Sequence, residues 1–172
     1  MAITIAADSI LGFRQVEPNH LSAPRDGRVY AQLPAKEDIE KLEQGTFVKY
    51  DYAEGEVNFT GDGPWMMVFN EEKLYDERHQ MHRDYAMQKS DFYDGVMTPR
   101  VFGMVAGDIF TTNNLKDDSY TVGDEVAPGS TGILEKTAAA TAKTAGTLYC
   151  KVVKEYTMPD GQPAVKLQVI QA

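Results

Sequence analysis

Two runs near the C-terminus, TLYCKVVKEYTM and AVKLQVIQ, alternate apolar and polar residues on either side of Pro159-Asp160-Gly161-Gln162. This period of two constrains the fold more than any other feature, because successive side chains of a strand point to opposite faces. Leu148, Cys150 and Val152 therefore share one face. Val165, Leu167 and Val169 form another, against Lys166 and Gln168. A short turn rich in Pro, Asp and Gly returns the chain and fixes the register. The segment reads as an antiparallel hairpin with Val152, Val165, Leu167 and Val169 on its buried side.

The same period recurs upstream. TFVKYDY places Val48, Tyr50 and Tyr52 on one face and Lys49 and Asp51 on the other. Ala53, Glu54 and Gly55 turn the chain into EVNF. After the turn Gly61-Asp62-Gly63-Pro64, the continuous apolar run WMMVF reads as a buried strand. VMTPRVFGMV, GDIFTT and the brief GILEKT add strand signals, whereas TAAATAKTAGT lacks large apolar anchors and reads as an exposed loop. One short helix is expected over AKEDIEKLEQ. Pro34 precedes it, Glu37 and Asp38 lie in its first turn, Ile39 and Leu42 share a face, and Gly45 suits a left-handed cap. Residues 71–94 space Leu74, Arg78, Met81 and Tyr85 as a second helical face with Asn70 as N-cap, the alternative being a long excursion packed over the domain. The expected class is mainly β: a small antiparallel β-barrel or sandwich with one or two short helices and an extended N-terminal arm.

That arm spans residues 1–34, ahead of a β-rich domain over 35–172. Pro18, Pro24 and Pro34 interrupt it, and each removes an amide donor and biases its predecessor towards extended geometry. Ile3, Ile5, Ile10, Leu11 and Phe13 give it anchors that must be buried on its own domain or on a neighbouring subunit. These five are the candidate partner-binding residues, and a body from about Leu33 onward is expected to fold without residues 1–30.

A chain of 172 residues with 42% hydrophobic content can build one domain with a core. The formal charge of −9, from 26 acidic against 17 basic residues, argues against direct nucleic-acid binding, which rests on Lys and Arg displacing counterions. Cys150 is the single cysteine, so no intramolecular disulfide forms, and a reducing compartment is expected. The N-terminus does not read as a signal peptide, and no run approaches the ~20 apolar residues that span a bilayer. Synthesis in a cytoplasm and no membrane partner follow as expectations.

The search for chemistry returns little. His79 and His82, with Asp76, Glu77 and Asp84 nearby, could share a helical face and hold two positions on zinc or nickel. His20 is the only other histidine, so a tetrahedral site lacks ligands and a solvated surface is the preferred reading. Cys150 lies on an inward strand face rather than in the electropositive, exposed setting of a reactive thiol. No G-x-S-x-G occurs. Gly61-Asp62-Gly63 and Val122-Gly123-Asp124 fit turns better than phosphate loops. Tyr30, Phe47, Tyr50, Tyr52, Phe59, Trp65 and Phe69 could line a sugar or peptide groove, but core and subunit packing is preferred. No catalytic residue, cofactor or metal site is expected, which favours assembly over chemistry.

Between Trp65 and Asn113, WMMVFNEEKLYD and TPRVFGMVAGDIFTTN, followed by YTVGDEVAPGSTGIL, resemble structural proteins of tailed-bacteriophage heads. A proline-arginine-hydrophobic step, a GD turn into a strand and a later GDEV turn occur together. The chain is similar to capsid decoration proteins, also called cement or auxiliary proteins. The resemblance implies a small β-rich homo-oligomer, trimers being common, on the outer face of the capsid in the virion. There it would bind several major capsid protein subunits and reinforce the shell against internal DNA pressure. No active-site residues come with it. Two alternatives remain: another virion component (head-fibre base, head-completion or tail protein), or a cytoplasmic ligand-binding β-barrel or small enzyme using the His79/His82 region.

Overall fold

The computed structural model describes residues 2–5, 10, 12–70, 85–137 and 147–172. Its strands in chain order begin with β1 (Ile3–Thr4), β2 (Val16–His20), β3 (Val29–Tyr30), β4 (Lys41–Glu43) and β5 (Phe47–Asp51). Then come β6 (Glu56–Asn58), β7 (Trp65–Val68), β8 (Ala86–Gln88), β9 (Val101–Gly103) and β10 (Ile109–Thr112). The last are β11 (Ser119–Tyr120), β12 (Glu125–Pro128), β13 (Leu134–Lys136), β14 (Tyr149–Thr157) and β15 (Pro163–Gln171). The protein is mainly β, and its sheets are antiparallel.

A six-stranded sheet has the order β13-β12-β14-β15-β10-β2, and a five-stranded sheet the order β3-β9-β7-β5-β6. Two-stranded pairs β1-β11 and β4-β8 complete the set, and neither large sheet closes into a barrel. The five-stranded sheet is the middle layer. Phe47 and Met67 join the core shared with the six-stranded sheet, alongside Phe110, Cys150, Val165 and Leu167. Their chain neighbours Val48, Met66 and Val68 face the other way, into a second core with Ile39, Leu42, Met87 and Val101. A strand covered on both faces needs apolar residues at every position, which accounts for the unbroken run in WMMVF.

The closing hairpin forms as its alternation indicates. Val152 stands opposite Leu167, and Cys150 opposite Val169, all buried, while Lys166 points outward. Burial pushes the Cys150 thiol well up from its ordinary pKa, so it stays protonated and inert. The hairpin of β5 and β6 also forms, pairing Tyr50 with Val57.

The expected helix over residues 35–44 does not. Ala35 bridges Val57, Lys36 N–H donates to the Val57 carbonyl at 3.0 Å, and Lys41–Glu43 pair with β8. Ile39 and Leu42 are buried as their spacing suggested, yet the backbone donors go to neighbouring strands. So short a helix has little stability of its own, and cross-strand partners outcompete it. Gly45 does take the left-handed conformation (φ 76°), but it closes the β4–β5 turn rather than capping a helix. Of the second helical expectation, residues 71–84 lie outside the described residues. Its C-terminal part is β8 and a 3₁₀ turn at Lys89–Asp91, the only helical element among the described residues.

The described strands of residues 1–34 pair with strands of the rest of the chain. β1 pairs with β11, β2 with β10 and β3 with β9. Pro18 fits because β2 is an edge strand, where a missing amide donor faces no partner. The following loop is tied down by Asp108, a fully buried carboxylate that accepts from the Ser22 N–H and hydroxyl, both at 2.8 Å, and from the Val105 N–H at 3.0 Å.

Candidate functional site: an aromatic groove

Four aromatic residues that are scattered in the sequence meet at one end of the five-stranded sheet. Tyr30 comes from β3, Trp65 from β7, Tyr50 from β5, and Tyr52 from the turn after it. With Arg28, Leu33, Pro64, Met66, Gly103, Met104 and Ala172 they line a groove of about 340 Å³, a size that suits a ligand or an anchoring side chain. The Tyr50 and Tyr52 rings meet edge to face with centroids 4.9 Å apart, an arrangement favoured by the aromatic quadrupole. Tyr30 is 44% and Tyr52 65% exposed. The turn Gly61-Asp62-Gly63 closes against the Tyr50 backbone, with the Gly63 N–H donating to its carbonyl at 2.8 Å. A Cβ at Gly61 would lie 2.5 Å from that carbonyl oxygen, so side chains are excluded there. The turn leads into Pro64, which lines the groove.

A second hollow continues past Trp65. It shares Pro64, Trp65 and Ala172 with the first and adds Lys49, Asp62 and Thr147. The Lys49 ammonium stands 5.2 Å from the Trp65 ring centroid, in cation–π range. Arg28 is steered by Asp26, with Nη2 3.1 Å from Oδ2. The lining is largely aromatic and apolar with cations at its margins. It offers stacking and hydrophobic contact rather than an acid–base pair.

The candidate partner-binding residues fare differently from one another. Ile5 is buried in the main core, and its N–H donates to the Asp118 carbonyl at 2.8 Å. Ile3 and Ile10 pack against the same core. Phe13 is half-buried, with the Lys41 ammonium 5.3 Å from its ring centroid. Leu11 lies outside the described residues. The arm thus buries Ile5 on its own domain, one of the two possibilities its sequence left open.

His20 ends β2 on the surface, and the His79/His82 pair lies outside the described residues. Among the described residues no three His, Cys, Asp or Glu side chains gather as metal ligands would. None of the described helical segments is long and apolar enough to cross a membrane. Of the seven aromatic residues that the sequence offered for a groove while favouring packing, Tyr30, Tyr50, Tyr52 and Trp65 line it, whereas Phe47 is in the main core and Phe69 and Phe59 pack against the two cores; Arg28, Leu33 and Met104 were missed. Only the strand order, which no local pattern encodes, brings β3 and β5 to one groove. No family model matches the chain, and neither a curated protein nor a solved structure matches it significantly.

Proposed function

We propose that the chain is a virion structural protein that decorates and stabilises a tailed-phage capsid by binding major capsid protein subunits. The observation that carries this reading is the groove. It presents Tyr30 and Tyr52 to solvent beside Trp65 and Arg28, and Tyr, Trp and Arg are the types on which interface energy concentrates. Exposed aromatic clusters of this kind mark surfaces that a partner covers. Ile5 is already used within the fold, so the capsid contact runs through the body rather than through a free arm. Many copies on a symmetric shell would turn a modest contact into firm retention. Catalysis has no part in this reading.

The test uses phage particles grown without the protein, to which purified chain is added back before sedimentation. Wild type should co-sediment with the shells. The pair Tyr30→Ala and Tyr52→Ala should lower retention at least about tenfold while the chain still melts cooperatively, because neither side chain is part of the buried core. Wild-type protein that stays in the supernatant would refute capsid binding. Retention indifferent to both substitutions would refute the groove as the contact.

A further inference from the structure

We infer that the aromatic groove takes a short polyproline-type segment of a partner chain, with an acidic residue at its Arg28 end. On the capsid reading, on which this rests, the segment belongs to the major capsid subunit. The groove lining crosses the sheet rather than following one strand. Tyr30 lies on β3, Gly103 on β9, Trp65 and Met66 on β7 and Tyr50 on β5, strands whose spatial order is β3-β9-β7-β5. Neighbouring strands lie ~4.8 Å apart, so the row is about 14 Å long. A polyproline helix rises ~3.1 Å per residue and covers that row with about four or five residues. β9 and β7 are paired on both sides, so the backbone of an occupant lying across them finds no ladder to join. A polyproline segment tolerates this, because its backbone stays solvated and its prolines carry no amide donor.

The side chains suit the same occupant. The Tyr50 and Tyr52 ring planes meet at 85° and so form a notch for a rigid pyrrolidine ring. The register sets Gly103 beside Met66, and its missing side chain leaves the floor open next to Arg28. A Cβ at Gly103 would lie 3.3 Å from the Arg28 Cβ. Aromatic-lined grooves grip polyproline segments because the preset shape of the segment lowers its ordering cost. A sugar would call for amide or carboxylate side chains to hold its hydroxyls, and no Asn, Gln, Asp or Glu lines the main hollow. The margin sets the charge of the partner. Arg25 and Arg28 share the carboxylate of Asp26, at 2.9 and 3.1 Å. Asp108, which also acts on Arg25, is buried and occupied by Ser22 and Val105. The exposed charge at the Arg28 end is therefore positive, on a chain of net charge −9, and it selects an acidic residue in the partner.

Trp65 is the single tryptophan, so its fluorescence reports on the groove directly and the test needs no particle. The full-length chain is titrated into the millimolar range with an acetylated peptide of two aspartates followed by six prolines. A saturable change in Trp65 emission is expected. The same peptide led by two lysines should bind several-fold more weakly, and an aspartate-led glycine–serine peptide of equal length should give no change. Tyr30→Ala with Tyr52→Ala should abolish the response to both proline peptides. Arg25→Gln with Arg28→Gln should erase the preference for aspartate over lysine. Arg25→Gln alone, at a side chain 77% exposed, should reduce that preference and serves if Arg28→Gln impairs folding. No saturable response to the aspartate-led proline peptide, an equal response to the glycine–serine peptide, or a preference for lysine would overturn the inference. So would a response to a malto-oligosaccharide alone, which would assign the groove to a sugar. Failure with the proline peptide while shells still retain the chain through its tyrosines would leave the capsid reading standing. Proline binding by a chain that shells do not retain would keep the peptide class and remove the capsid as its source.

Discussion

At the scale of single residues, Gln44 acts as a substitute peptide group. Its Nε2 donates to the Asn70 carbonyl and its Oε1 accepts from the Asn70 N–H, both at 2.8 Å and both buried. Asn70 in turn accepts from the Arg100 N–H through Oδ1 at 2.8 Å, joining the ends of β7 and β9. Gln44→Ala would strand two buried backbone groups and should cost about 3 kcal/mol in denaturant unfolding. The closing hairpin allows a sharper contrast. Leu167→Ala empties a fully buried site and should cost about 2–5 kcal/mol, whereas Lys166→Ala, one residue away on the outer face, should stay within about 0.5 kcal/mol. A larger loss for Lys166→Ala would mean that the faces are reversed.

Acid sensitivity belongs to the same scale. Burial works to raise Asp124, but the Lys136 ammonium at 2.9 Å and the Thr121 N–H and hydroxyl outweigh it and hold its carboxyl below the usual range. Asp160 is likewise pushed up by burial and more strongly down by hydrogen bonds from the Gln162 N–H, Gln15 and the Gln162 side chain. A carboxyl lowered in the folded state adds stability that is complete above its unfolded value of about 4 and is lost as the pH falls through the folded value. Thermal stability should therefore drop below about pH 4. Asp124→Asn with Asp160→Asn should make that drop shallower while lowering stability at neutral pH. An unchanged acid profile would remove both carboxyls from the account.

At the scale of elements, strands were legible where local period and tertiary environment agree. β14, β15, β5 and β7 follow from alternation or from an unbroken apolar run. The segment before β5 was not legible, because Ile39 and Leu42 suit a helical face and a buried extended segment equally well. The pairing of Leu42 with Met87 decides between them, and it joins residues far apart in the chain. Whether the arm is separable is undecided by local sequence for a related reason. Its prolines announce an extended chain, but they do not say that β2 completes the six-stranded sheet. Deleting residues 2–30 would remove β1, β2 and β3 together with the buried Ile5 and Val16. Loss of the cooperative thermal transition is the expected outcome, read by circular dichroism. A truncated chain that melts like the parent would restore the arm as an appendage.

At the scale of the molecule, three layers of antiparallel strands present a Tyr- and Trp-lined groove at one end of the middle sheet. That groove could not be read from the sequence alone, because it depends on strand order. It suits assembly, and the central claim is that this assembly is a capsid shell. Electron cryomicroscopy of purified particles tests it most directly. The account predicts density fitting the two packed sheets on the outside of the shell, with the groove of Tyr30, Tyr52 and Trp65 against the major capsid subunits. Density in the tail, or particles from which the chain is absent, would contradict it.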